Sequence, residues 1–233
     1  MVDMGDHVLA GNPPVALTLR RSARARRITL RISGVDGRVT LTLPRGVSDA
    51  EALAFAHDKA DWLRAHLDKR PDLVMVAQGQ MLPVEGVPRQ IVAASGRKVH
   101  LTGQTIEVPG ASDRIAARLG AHLKALARDR LATASDHYAA ALGLPYNRLT
   151  LRDTRSRWGS CTSAGGLMYS WRLILAPPEV LAYVAAHEVA HLAEMNHSRA
   201  FWAQVTRLYG PYEAPRRWLR AHGSGLHRYR FEI

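Results

Sequence analysis

With 233 residues, 47% of them hydrophobic, the chain can bury one large core or two small ones, and no run reaches the ~18 uncharged apolar residues a membrane span needs. The single cysteine, Cys161, excludes an intrachain disulfide and fits a reducing compartment; residues 1–6 show neither the basic nor the apolar region of a leader, so a cytoplasmic location is expected. A net charge of +12 favours polyanions through counterion release, which allows weak nucleic-acid association or simply a solubilising, arginine-rich surface.

In chain order, residues 1–15 lack periodicity and read as a loose terminus. A basic run, residues 20–27, leads into Ile28-Thr29-Leu30-Arg31-Ile32, which alternates apolar and polar. Val35-Asp36-Gly37-Arg38 holds an Asp-Gly turn, and Val39-Thr40-Leu41-Thr42-Leu43 alternates again, so the segment predicts a β-hairpin. Ser48 and Glu51 form a capping-box pattern opening a helix to about Leu67, with Trp62 expected in the core. Residues 73–109 hold five short apolar runs between glycines and prolines, the pattern of a small antiparallel sheet. Ser112-Asp113 is expected to cap a long helix striped with Leu119, Leu123, Leu126 and Leu131 and stopped by Gly143.

Residues 148–152 read as a strand, residues 153–162 as a polar loop, and residues 167–175 as a second strand, able to hold substrate by strand addition. Pro177-Pro178-Glu179 opens a helix that is apolar nearly all round. It carries His187-Glu188-Val189-Ala190-His191, with His197 six residues further on. Residues four apart share a helix face, so His187 and His191 can meet one metal ion. His197 lies off that face, which requires the helix to end near Met195-Asn196, with Asn taking a left-handed turn. Ser198 then caps a helix with Phe201, Trp202, Val205 and Leu208 inward, and a short basic helix runs from Ala214 to His222. Three imidazoles and an open position describe a catalytic zinc site; Glu188 is placed as general base. The five-residue motif arises by chance about 0.02 times in such a chain, so the histidines are read as ligands.

Other groups stand nearby. Arg152, Arg155, Arg157 and Arg172 precede the site, and Arg155, Arg157 and Arg172 are expected to bind substrate, as anion contacts or oxyanion stabilisers, if not held on the solvent face. Cys161 reads as a buried thiol, Trp158 as packing under its loop, Glu194 as a partner for a ligand histidine, and His222 and His227 as surface positions.

The loop Arg157-Trp158-Gly159-Ser160-Cys161, the helix His187-Glu188-x-x-His191-Leu192 and the segment Asn196-His197-Ser198-x-x-Phe201-Trp202 together resemble the YgjP-like metal-dependent hydrolases, relatives of the SprT-like zincins. That resemblance implies a zincin-type core, with His187, His191 and His197 on zinc and Glu188 as base. The ligand spacing also equals that of metzincins, but Glu194 stands where those carry glycine.

The expectation is an α+β protein: an N-terminal β-rich lobe with one helix over residues 16–110, and a zincin-like domain over residues 111–233 made of a short antiparallel sheet and the active-site helix. The leading function is zinc-dependent peptide hydrolysis. Hydrolysis of a nucleotide phosphoanhydride, as by a nucleoside triphosphate pyrophosphohydrolase, is the alternative, followed by a nucleic-acid-binding module with structural zinc. Three imidazoles suit zinc, and other divalent metals bind similar sites.

Overall fold

The structure is a computed structural model that describes residues 4–34, 36–68 and 72–231. It is α+β and divides at Asp72/Leu73 into two compact units. The expected boundary at residue 110 is therefore corrected, because the strands before it bury their apolar faces in the same core as the long helix that follows.

In the first unit, β1 (Met4–Leu9), β2 (Val15–Arg21), β3 (Thr29–Ile32) and β4 (Val39–Leu43) form a sheet of order β1-β2-β4-β3. β3 and β4 are the expected antiparallel hairpin, with Gly37 at φ 70° in its turn; Val35 lies outside the described residues. The terminus expected to be loose is instead an edge strand from Met4 onward, paired to β2; Met1, Val2 and Asp3 lie outside the described residues. On β2 and β4, alternate residues Leu17, Leu19, Leu41 and Leu43 face inward, the period-two burial of a half-covered sheet. Ser48 accepts from the Glu51 amide at 3.2 Å, as its capping pattern requires. The helix it opens is two, α1 (Asp49–Asp58) and α2 (Ala60–Asp68), broken at Lys59. Trp62 is 45% exposed rather than in the core, while Ala52, Ala56 and Leu63 fill it.

The second unit begins with β5 (Val74–Met75), followed by β6 (Met81–Val84), β7 (Val87–Ala94), β8 (His100–Leu101) and β9 (Thr105–Pro109). The last four form a mixed sheet, not an antiparallel one, since β7 and β9 run parallel. Glu85 (φ 52°) and Gly86 (φ 76°) make the two-residue β6–β7 turn, which needs positive φ at both positions. The Glu85 amide donates to the Ile174 carbonyl at 2.7 Å. A 3-10 turn, Ser112–Arg114, precedes α3 (Ile115–Leu142), so Ser112 does not cap α3 as expected. Gly143, at φ 79°, ends α3 in the left-handed conformation that glycine adopts without a Cβ penalty.

β10 (Arg148–Arg152), β11 (Gly159–Cys161) and β12 (Gly166–Ser170) form a sheet of order β10-β12-β11. The β11–β12 pair is antiparallel and β10 runs parallel to β12. The strand expected to reach Leu175 stops at Ser170; Trp171–Leu175 is a 3-10 turn. Every residue of that turn is buried, Arg172 and Ile174 included, so the alternation in the sequence has no solvent face to serve. α4 (Pro178–Ala190) lies against α3, α5 (Arg199–Tyr209) and α6 (Glu213–His222). β13 (Tyr229–Arg230) closes the unit by pairing with β5. Among the described residues, no helix is long and apolar enough to cross a membrane.

Candidate metal centre

α4 delivers His187 and Glu188 from its last turn and ends at Ala190, so His191 is its C-cap. This is earlier than the expected end near Asn196. The chain leaves through tight turns in which Leu192, Ala193 and Glu194 amides donate to Val189 and Ala190 carbonyls. These short-range bonds satisfy the helix end without a left-handed residue; among the described residues Glu85 alone of the non-glycines has positive φ. Asn196 instead accepts the Ser198 amide on its side chain at 3.0 Å. Ser198 caps α5 as expected, accepting the Phe201 amide at 3.3 Å.

That exit brings His197 back to the other two. The three histidines present nitrogens within 4.8 Å of one another, and Nε2 of His187 and His197 are 3.1 Å apart. Tetrahedral zinc with ~2.0–2.1 Å bonds spaces its donor nitrogens roughly 3.3 Å apart, so the cluster fits such an ion. His191 Nδ1 donates to the Glu194 carbonyl at 2.9 Å, leaving Nε2 with its lone pair for a metal. Glu194 is thus the expected partner of a site histidine, and it is its backbone carbonyl that orients His191. His187 Nδ1 is buried with no hydrogen-bond partner. Phe201, fully buried, stacks on His191 at 4.4 Å and meets His187 and His197 edge-on at 4.9 and 4.7 Å. The Ser198 cap thus places the ring that holds all three imidazoles in position.

Burial and then the neighbouring histidine charges push His187 down to about 3. Burial also lowers His191, partly offset by its bond to Glu194. Both are neutral at neutral pH, the form in which an imidazole can take a metal. Glu188 is 6% exposed; burial pushes it up to about 8 against the lowering charge of Arg157. Gly159 on β11 backs directly onto this carboxyl: a Cβ there would lie 2.5 Å from both Cγ and Oε1 of Glu188. The motif reading included Gly159, but only the packing shows that the close approach of β11 to Glu188 requires a residue without a side chain.

The arginines part company. Arg172, expected to touch substrate, is buried and commits its fork to Asp153 at 2.6 and 2.9 Å and its remaining amino group to the Leu226 and Tyr229 carbonyls. It ties the end of the chain to the loop after β10. Arg155 is exposed and its charge falls on His227, whereas the charge of Arg157 falls on Glu188. His227 is not at the surface as expected but 3% exposed, against Trp158 at 5.2 Å. Cys161 is half-buried, stands outside the nitrogen cluster and is pushed up to about 11, first by burial and then by Glu188, so it is a thiol. A cavity of about 410 Å³ opens beside His191, between Tyr146, Asn147, Ser163, Leu192 and Met195. β12 has neighbours on both sides, so the strand expected to take up substrate cannot; β10 and β11 are the edges.

The family model for the YgjP-like metallopeptidase domain matches residues 26–222. The chain belongs to the YgjP-like family. That membership makes it a metallopeptidase-family protein with three histidines able to hold a metal. Among solved structures, the YgjP-like chain is similar to the metallopeptidase zymogen abylysin of Pyrococcus abyssi, at 20% identity and a TM-score of 0.36, over 40% of this chain and 92% of that one. No curated protein matched.

Proposed function

We propose that this chain is a zinc-dependent metallopeptidase with His187, His191 and His197 as ligands and Glu188 as general base. The observation that carries the reading is the convergence of three imidazoles beside a buried carboxyl. When bound, zinc supplies Lewis acidity that polarises the scissile carbonyl and acidifies water. Glu188, whose burial raises its proton affinity, accepts in its carboxylate form a proton from the attacking water and returns it to the leaving amine. Gly159 holds β11 close enough for this edge strand to align an extended peptide next to the carboxyl. Phe201 and the Glu194 carbonyl keep the ligand rings oriented.

A second reading, hydrolysis of a phosphoanhydride at the same centre, is favoured by Arg157, whose charge reaches Glu188 and suits an anionic substrate. The test is turnover by zinc-loaded protein, with Glu188→Gln alongside, on unfolded polypeptides and on nucleoside triphosphates. Peptide cleavage lost in the variant supports the peptidase. Cleavage of triphosphates alone, lost in the variant, replaces it with the second reading. Equal turnover by both proteins sinks both.

A further inference from the structure

Apart from Arg157, the face of the β10-β12-β11 sheet opposite Glu188 has no role in either hydrolytic reading. Gly159 points toward Glu188, so its neighbour Ser160 points to the other side of the sheet. Arg148, Thr150 and Arg152 alternate along β10, and the register sets Thr150, Met168 and Ser160 in one row across the three strands. Together with Arg157 and Thr162 they line a groove of about 380 Å³. Its three arginines are exposed and none is ion-paired among the described residues; no carboxylate and no aromatic ring lines it. Thr162 also lines the cavity beside His191.

We propose that this groove docks the sugar-phosphate backbone of a single polynucleotide strand, independently of its sequence. Three guanidinium groups with hydroxyls between them match phosphate oxygens, which arginine binds as a fork and threonine or serine contacts by hydrogen bonds. Arg148 and Arg152, four residues apart on a strand, have backbones roughly 13 Å apart, farther than one phosphate reaches, so repeated phosphates satisfy the row better than a single one. The volume is that of a small-ligand pocket, which admits one strand and not a duplex. Without an aromatic platform there is nothing for bases to stack on, hence the indifference to sequence. The chain's +12 net charge adds to the attraction.

The experiment is fluorescence anisotropy of fluorescein-labelled oligothymidylate titrated with the full chain at several salt concentrations. Three phosphate contacts predict a slope of log K against log salt of about −2 for a single strand. The double variant Arg148→Ser/Arg152→Ser should reduce the slope to about −0.7 and weaken binding about tenfold. Arg148→Lys/Arg152→Lys should keep most of the slope, and an unchanged melting temperature in each variant shows that the fold is intact. Glu188→Gln should bind as the parent does, which separates this groove from the hydrolytic reading. Unchanged affinity and slope in the Ser variant overturn the proposal. So does equal displacement of the strand by polyglutamate, which would make the groove a site for acidic polypeptide. Displacement by uridine triphosphate at the same phosphate concentration would make it a mononucleotide site, and likewise overturns it.

Discussion

Gly159 and Glu188 are in such close contact that the glycine's missing side chain is part of the carboxyl's environment. A methyl group at Gly159 would lie 2.5 Å from the Glu188 carboxyl, so either β11 or Glu188 must move. Gly159→Ala should therefore lower kcat by about 10²-fold, because a displacement of about 1 Å at a reacting group costs on that order. Zinc content should be unchanged, since the histidines do not touch this position. An Ala variant with parental kcat would show that the contact relaxes without moving the base.

Glu188→Gln removes the proposed proton acceptor while leaving size and packing almost unaltered. Turnover should fall by about 10²–10⁴-fold, the usual contribution of a general base, with zinc binding retained. Steady-state kinetics and metal analysis of the same preparation check this. Loss of zinc together with activity would mean that Glu188 supports the ligands rather than the reaction.

Zinc that binds the folded chain and not the unfolded one must raise its stability. At zinc a hundredfold above the dissociation constant, the gain is about 2.7 kcal/mol. A thermal melt with and without zinc should show an upward shift, and His191→Ala should abolish it. A shift that survives in the variant would place the metal elsewhere.

Arg172 and Asp153 form a two-pronged pair whose cation is buried and whose anion is half-exposed. Burial alone would raise Asp153, but the hydrogen bonds and charge of Arg172 outweigh it and hold the carboxyl below its usual range. Asp153→Ala leaves a buried guanidinium with only its two carbonyl acceptors and should cost about 2–3 kcal/mol. For a chain of this size that is a fall in Tm of roughly 4–12 °C. A melt within a degree of the parent would show that the two carbonyls suffice.

His227 is pushed down to about 4, mainly by burial and then by the charge of Arg172. Its folded value lies below the value of about 6.5 in the unfolded chain, so between these pH values the unfolded state binds the additional proton. Its contribution is fully present above about pH 6.5 and is lost as pH falls toward 4. The depressed Asp153 adds to the loss in the acid range, in the same direction. Denaturant melts across this window should show His227→Gln to be less acid-sensitive than the parent. Parallel pH curves for the two proteins would remove His227 as the cause.

Local chemistry alone was enough for much of this protein. The spacing of His187, His191 and His197, the Ser198 cap, the Gly143 stop and the alternation on β3 and β4 each depend on residues close in sequence, whose geometry is set by helix and strand periodicity. Where the environment is contributed by distant segments, the tertiary structure decided. The complete burial of Trp171–Leu175 converted an alternating run into a 3-10 turn, and the core shared by α3 and the strands before it moved the boundary to Asp72/Leu73. Arg172 became a tie to Asp153 rather than a substrate contact, and Gly159 became the seat of Glu188. Burial and pairing across long sequence separations set the charge state and reach of a side chain, and no window of neighbouring residues contains them.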